Sequence, residues 1–226
     1  VEALLHHFFN LDALWNARIV MLEGAAGTLK LGIVALILSL LMGGVIFALQ
    51  FGRSARMRVA VEWYIDIMRA LPLLVFLVLV FYLAMPILGL RVDPFYAAAF
   101  AFMLKHGAYF AEIYRGGWLA VEKGQVHAAH ALGLPRWRIV QKVVVPQLML
   151  IIVPAMTSQA TLVLRDLPLA FMIGHFEILT SARAAQVFTR NSTPLMGAVV
   201  AYSITLLLLQ WFTGRLESYS RRRMEA

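Results

Sequence analysis

The sequence predicts an all-α membrane protein with five transmembrane helices and a short helix held outside the bilayer. Three observations predict it. Hydrophobic residues make up 62% of the 226 positions and charged residues only 14%, well below the roughly 25% of a soluble domain. The apolar residues gather into runs that approach the about 20 residues needed to cross a hydrocarbon core. The basic residues, which leave a net charge of +8, sit in short segments between those runs. That distribution belongs to membrane-flanking loops and argues against a nucleic-acid surface. The absence of cysteine excludes disulfides, thiolate metal sites and a Cys nucleophile.

The elements follow in order. Residues 1–23 alternate apolar and polar side chains, include Glu2, Asp12 and Glu23, and lack the basic start of a cleavable signal. They are expected as an amphipathic helix on the outer surface. Residues 27–49 form the first span and carry only Lys30 near their start. Residues 71–90 form the second, with Pro72 and Pro86 near its ends. Residues 95–114 form the third, which contains Lys105, His106 and Glu112. Ionisable side chains within a span face a cavity or a partner because lipid cannot solvate them. Residues 143–164 form an uncharged fourth span, and 195–212 the fifth. The apolar run 167–179 is too short to span and reads as a re-entrant or interfacial piece. Residues 216–226 are a basic tail. No repeat or linker divides the chain, so 24–215 is read as one transmembrane domain.

Lys and Arg set the orientation. Arg53, Arg56, Arg58, Arg115, Lys123, Arg136, Arg138, Lys142, Arg215, Arg221, Arg222 and Arg223 fall on one side. Only Arg18, Arg91, Arg165, Arg183 and Arg190 fall on the other. The richer side is cytoplasmic, which places the N-terminus outside and the C-terminus inside.

The segment 121–147, VEKGQVHAAHALGLPRWRIVQKVVVPQ, is a polar, basic interruption between apolar runs. Its Ala-Ala-His-Ala-Leu-Gly-Leu-Pro core predicts a short helix that Gly133 caps and Pro135 prevents from continuing. A short helix at the cytoplasmic mouth of a membrane bundle suits docking to a separate polypeptide. Ala128, Ala129, Ala131 and Gly133 supply the small residues that close approach requires. His127 and His130 share a helix face and could hold a metal, but no third ligand lies nearby in sequence. Polar surface at a protein contact is the plainer reading.

These residues resemble a family. Gly124 to Leu134, followed by Val145-Pro146-Gln147 and Pro154, is similar to the EAA loop of bacterial ABC importer permeases of the polar amino acid group. Gly27-Thr28-Leu29, Arg69-Ala70-Leu71-Pro72-Leu73, Ala108 to Gly117 and Arg165-Asp166-Leu167-Pro168-Leu169 extend the resemblance over nearly the whole chain. It departs at His127, where the family has Glu, at Arg165-Asp166-Leu167-Pro168-Leu169, where the family has Lys-Asp-Thr-Ser-Leu, and at Lys105-His106. The resemblance implies the type I ABC importer permease fold in a bacterial inner membrane. It implies partners: two copies of an ATP-binding subunit, a second permease that is homologous or identical, a periplasmic binding protein, and membrane lipid. Gly124, His127, Ala128, Ala129, Leu132 and Gly133 would then couple to the ATPase. The chain has no G-x-x-x-x-G-K-[ST] phosphate loop, so ATP and Mg belong to the partner and this chain is a transport subunit without a cofactor of its own.

The same resemblance makes Arg165 and Asp166 substrate residues. Arg offers a fork for an amino acid's carboxylate and Asp offers acceptors for its ammonium. Pro168 should break the fourth helix and free backbone groups there. Counting 1.5 Å per residue from Val143 instead puts Arg165 about 33 Å along, near the outer surface, where the pair would cap a helix end. Lys105 together with Arg165 would bias the pathway toward acidic amino acids, glutamate or aspartate. A channel or secondary transporter acting without ATP is the alternative, which the docking helix and its Gly-Pro stop oppose. A membrane-embedded enzyme would need clustered His and Glu ligands on neighbouring spans, and only His106 qualifies clearly.

Overall fold

The computed structural model describes residues 8–52 and 54–224, all of it helix and connecting turns. Helix α1 runs Leu11–Gln50. Helix α2, Ala55–Ala70, meets α3, Leu73–Ile87, at a bend of 108°. Then come α4, Pro94–Ala120, and the short α5, Lys123–Ala131. Helix α6 is Arg136–Ile173, α7 is Ile178–Thr189 and α8 is Thr193–Met224. Two of these, α1 and α6, are by themselves long and apolar enough to cross a membrane, and the bent pair α2–α3 qualifies jointly. The five expected spans correspond to α1, α3, α4, α6 and α8.

The sequence of α1 shows how the bundle sorts its faces. Leu29, Ile33, Ile37, Leu41 and Val45 recur every fourth residue and are exposed. Thr28, Gly32, Ala35, Ser39 and Gly43 lie between them and are buried. Large residues face outward and small ones face protein, because lipid rewards apolar bulk as well as a core does and only close backbone approach adds to helix association. The approach to α4 is close: a Cβ on Gly43 would lie 2.5 Å from the Phe110 Cβ, and one on Gly107 3.0 Å from Met42. Ser39 Oγ donates to the Phe102 carbonyl across this seam at 3.2 Å. Ala97, Ala98 and Ala101 complete the buried stripe of α4. Gly44 meets no neighbour and has no part in it.

Prolines shape α3 and α6 without breaking them. Pro86 follows a π-helical turn over Val80–Ala84, and Pro146 follows another over Val140–Val144. A proline ring crowds the carbonyl four residues before it and cannot donate to it. One extra residue in the preceding turn relieves the clash and keeps the helix continuous.

Several boundaries differ from the sequence expectation. Residues 11–23 are not a separate surface helix but the opening turns of α1. No proline or cap interrupts the chain there, and Gly24 and Gly27 pack against Ser181 and the Phe176 carbonyl of the α6–α7 region. Residues 1–7 of that expected segment lie outside the described residues. Residues 55–70 form a full helix before the second span, where the sequence showed only a charged link. Pro168 does not break α6; the helix tightens into a 3₁₀ turn over Leu167–Ile173 and stops at Gly174, whose φ is +80°. The basic tail is continuous with α8 as far as Met224.

Helix α7 is fixed by Glu177, which is fully buried. Its carboxylate accepts the backbone N–H of Leu179 at 2.8 Å and of Thr180 at 2.7 Å, and the Tyr202 hydroxyl of α8 donates to it as well. The α6–α7 turn is thereby tied to the last span.

With no native cysteine, single cysteines report sidedness directly. Ser54 and Val187 are both exposed. A cysteine at Ser54 is expected to react with an impermeant maleimide only in inside-out vesicles, and one at Val187 only in right-side-out ones. The reverse pattern overturns the Lys/Arg orientation.

Candidate functional site

The polar residues of α4 project inward. Lys105 is only 6% exposed. Its ammonium donates to the Met68 carbonyl at 2.7 Å and also to the Leu71 carbonyl. Both carbonyls belong to the end of α2, where the chain turns through the bend and the last carbonyls of a helix have no intrahelical donor. A cation at a helix C-terminus also meets the negative end of the dipole. Tyr109 OH donates to the neighbouring Arg69 carbonyl at 3.2 Å, and Tyr64 OH reaches back from α2 to the Leu104 carbonyl at 2.8 Å. The α2–α3 elbow is thus held by side chains of α4.

One residue along α4, His106 is 2% exposed and stacks on Phe102. Its Nδ1 is 3.0 Å from Gln159 Nε2 of α6, and its Nε2 is 3.4 Å from Asp166 Oδ2. That second approach lacks hydrogen-bond geometry and leaves Nε2 without a partner. Asp166 closes the α-helical part of α6, at the start of its 3₁₀ turn. Arg165 beside it is exposed and has no ion-pair partner among the described residues. Lys105 and Asp166 form no salt bridge there either.

A second polar cluster centres on Glu112. Arg115 binds it in a fork at 2.9 and 2.8 Å, Gln50 donates from α1 at 3.2 Å, and Arg69 lies at 3.6 Å. Arg69 of α2 thereby turns across to α4. Glu112 therefore joins α1, α2 and α4 at one end of the bundle.

The expected docking helix is α5. Leu132 caps it and Gly133 follows with φ +74°. The Gly133 N–H donates to the His130 carbonyl at 2.9 Å and the Leu134 N–H to the Ala129 carbonyl at 3.2 Å. This pair of bonds is the Schellman arrangement, which needs a left-handed residue. Gly124, His127, Ala128 and Leu132 are exposed, Leu132 at 81%. Ala129 is not: it packs inward with Val121, Ile139 and Val144. It seats α5 on α6 and offers nothing to a partner, because a nine-residue helix lying on the bundle must bury one face.

The whole chain from residue 20 to residue 225 matches the family described as the binding-protein-dependent transport system inner membrane component. The chain belongs to this family. It is 33% identical over 223 residues to the glutamine transport system permease protein GlnP of Escherichia coli (strain K12), covering 96% of this chain and 98% of that one. It is 29% identical to a putative glutamine transport system permease of Rickettsia conorii, covering 87% and 91%. Among solved structures it is similar to an amino acid ABC transporter crystallised with histidines, with a TM-score of 0.83, 26% identity, and coverage of 91% and 96%. The inward-facing MetNI methionine ABC transporter shares the fold, with a TM-score of 0.68 and 20% identity over 89% and 96%. The fold is that of type I ABC importer permeases, and the chain is an inner-membrane transport component.

The acidic preference expected from Lys105 finds no support. Its ammonium is engaged by two backbone carbonyls rather than free to line a pathway, and the named relatives are glutamine permeases. Gln159 was missed altogether. The only signal for it was an amide side chain seven positions before Asp166, which puts both on one helix face.

Two outcomes follow from this geometry. Lys105→Met leaves two carbonyls at the elbow without donors, so the purified subunit complex should lose about 1.5–3 kcal/mol of stability. Thermal unfolding in detergent measures it, and an unchanged midpoint shows that the cap is dispensable. At Gly133 a Cβ would meet no neighbour, so Gly133→Val acts only through backbone strain of roughly 1–2 kcal/mol. It should leave membrane insertion intact while lowering transport per ATP hydrolysed. Equal coupling ratios for the two proteins would remove α5 from the coupling path.

Proposed function

We propose that this chain forms one half of the translocation pathway of an ATP-driven importer for polar amino acids, with glutamine in the substrate class. Arg165 and Asp166 are the observation that carries the reading. They are adjacent on α6, opposite in charge, and neither is paired with an opposite side-chain charge among the described residues apart from the His106 contact. Charges are expensive in a membrane-embedded helix unless something uses them. A zwitterion uses both: its carboxylate fits a guanidinium fork and its ammonium a carboxylate. The names of the E. coli and Rickettsia relatives point to a neutral amide side chain.

The remaining parts come from partners. A second permease completes the pathway, a periplasmic protein delivers substrate, and a pair of ATPase subunits holds ATP and Mg. The exposed end of α5 at His127, Ala128 and Leu132 is the contact that transmits ATPase closure to α4 and α6. Two-state movement of such packed helices suits alternating access. The N-terminus faces the periplasm in this arrangement.

Arg165→Ala should abolish uptake of every amino acid substrate in proteoliposomes, since all share the carboxylate. Loss of one charge-assisted contact is worth about tenfold to a hundredfold in affinity. Normal uptake by this variant would reduce the pair to a helix-end cap. Uptake that persists without ATP would instead favour a secondary transporter or channel.

A further inference from the structure

We propose that His106 is a positioning residue for Asp166, presenting a neutral N–H donor that fixes one carboxylate oxygen and leaves the other for the substrate's ammonium. The inference rests on the amino-acid reading of Arg165–Asp166 and deepens it. Three side chains form a chain, the first two buried and the last half-open: Gln159 amide, His106 imidazole, Asp166 carboxylate. Gln159 and Asp166 are seven residues apart on α6, and His106 enters between them from α4.

The protons are assigned from the carboxylate end, and the amide at the other end follows. A carboxylate only accepts, so the nitrogen facing Asp166 Oδ2 at 3.4 Å must carry the hydrogen. In a neutral ring the other nitrogen is then an acceptor. The Gln159 amide nitrogen, which only donates, lies 3.0 Å from that Nδ1. The opposite amide orientation would place its oxygen against Nδ1, move the ring hydrogen there, and set a bare Nε2 lone pair against the carboxylate. With its amide nitrogen toward Nδ1, Gln159 holds the ring in the tautomer that offers a donor to Asp166.

The donor is buried and idle. Nε2 has no hydrogen-bond partner, yet the ring is 98% enclosed, stacked on Phe102 at 5.6 Å between centroids. An unmade hydrogen bond in such a place is costly. Asp166 is the side chain free to close it, being 34% exposed. What is missing is alignment as well as length, and a carboxylate that turns toward Nε2 supplies both.

The arrangement also explains why the neighbour on α4 is held away. Lys105 spends its ammonium on Met68 and Leu71. A lysine paired to Asp166 would cancel the charge that an ammonium ligand needs. A neutral imidazole orients the carboxylate and leaves its charge in place. His106 thus governs recognition of the α-amine rather than of the substrate side chain.

The test uses the reconstituted transporter with its ATPase and binding protein, and radiolabelled L-glutamine as the probe. His106→Leu removes the donor and should raise KM about tenfold with the maximal rate largely kept. His106→Gln retains an N–H and should stay within about threefold of wild type. Gln159→Met releases the tautomer while leaving the ring in place, and should raise KM several-fold. Should His106→Leu fail to assemble, as size-exclusion chromatography would show, the other two variants decide the matter alone. Equal KM for Gln159→Met and wild type overturns the proposal, as does a loss confined to the maximal rate. Asp166→Asn separates the two levels. If it transports L-glutamine with wild-type KM, the substrate site itself lies elsewhere. If it is impaired while the His106 and Gln159 variants are normal, only the positioning role falls.

Discussion

Inside a bilayer a backbone carbonyl has no water to turn to, and this constraint organises the protein around α4. Regular helix satisfies the backbone by itself, so the chain is safe wherever it stays helical. It leaves that state most sharply at the α2–α3 elbow, where the direction changes by 108°. The carbonyls released there are taken by Lys105 and Tyr109. The donors had to come from another helix, and α4 lies close enough because its own contact with α1 is made of Gly and Ala. Small residues on one face of α4 and long polar ones on another are two halves of the same solution. The first brings backbones together and the second closes the accounts of a bent chain.

Much of this was legible in the sequence, and the failures share a cause. Apolar runs announced the spans, and Gly133-Leu134-Pro135 announced the end of α5, because a left-handed residue and a proline act locally. What was not legible depends on who sits opposite. Lys105 reads as a free cation in a pathway until the carbonyls of Met68 and Leu71 are seen beside it, and carbonyls carry no sequence signature. Ala129 is one of several alanines in a row, and only the packing of α5 on α6 decides which of them is inside. The helix at 55–70 was hidden by its charges, which lie on a face the apolar count ignores. The unbroken start of α1 at Leu11 was hidden because a change from mixed to uniform apolar composition looks like a boundary when the backbone has none.

The site combines residues of both kinds. Arg165 and Asp166 stood out because two opposite charges follow a long uncharged stretch. Their surroundings did not. His106 and Gln159 lie on different helices, 53 positions apart, and nothing in either neighbourhood points to the other. The chemistry therefore divides by range. The groups that would meet an amino acid are adjacent in sequence, and the groups that hold them are assembled only by folding.

The π turn over Val140–Val144 has a consequence beyond accommodating Pro146. It places one more residue in a turn than an α-helix would, so everything after it is rotated by about 100° against the face that precedes it. Arg136 and Ile139, before the turn, and Gln147, just after it, face α5, whereas Gln159 and Asp166, farther along, face α4. Helix α6 thus meets α5 along its first turns and α4 farther on, with the π turn setting the bearing between the two. The spacing between the two sets is counted in residues, but their relative bearing is set by a single surplus peptide.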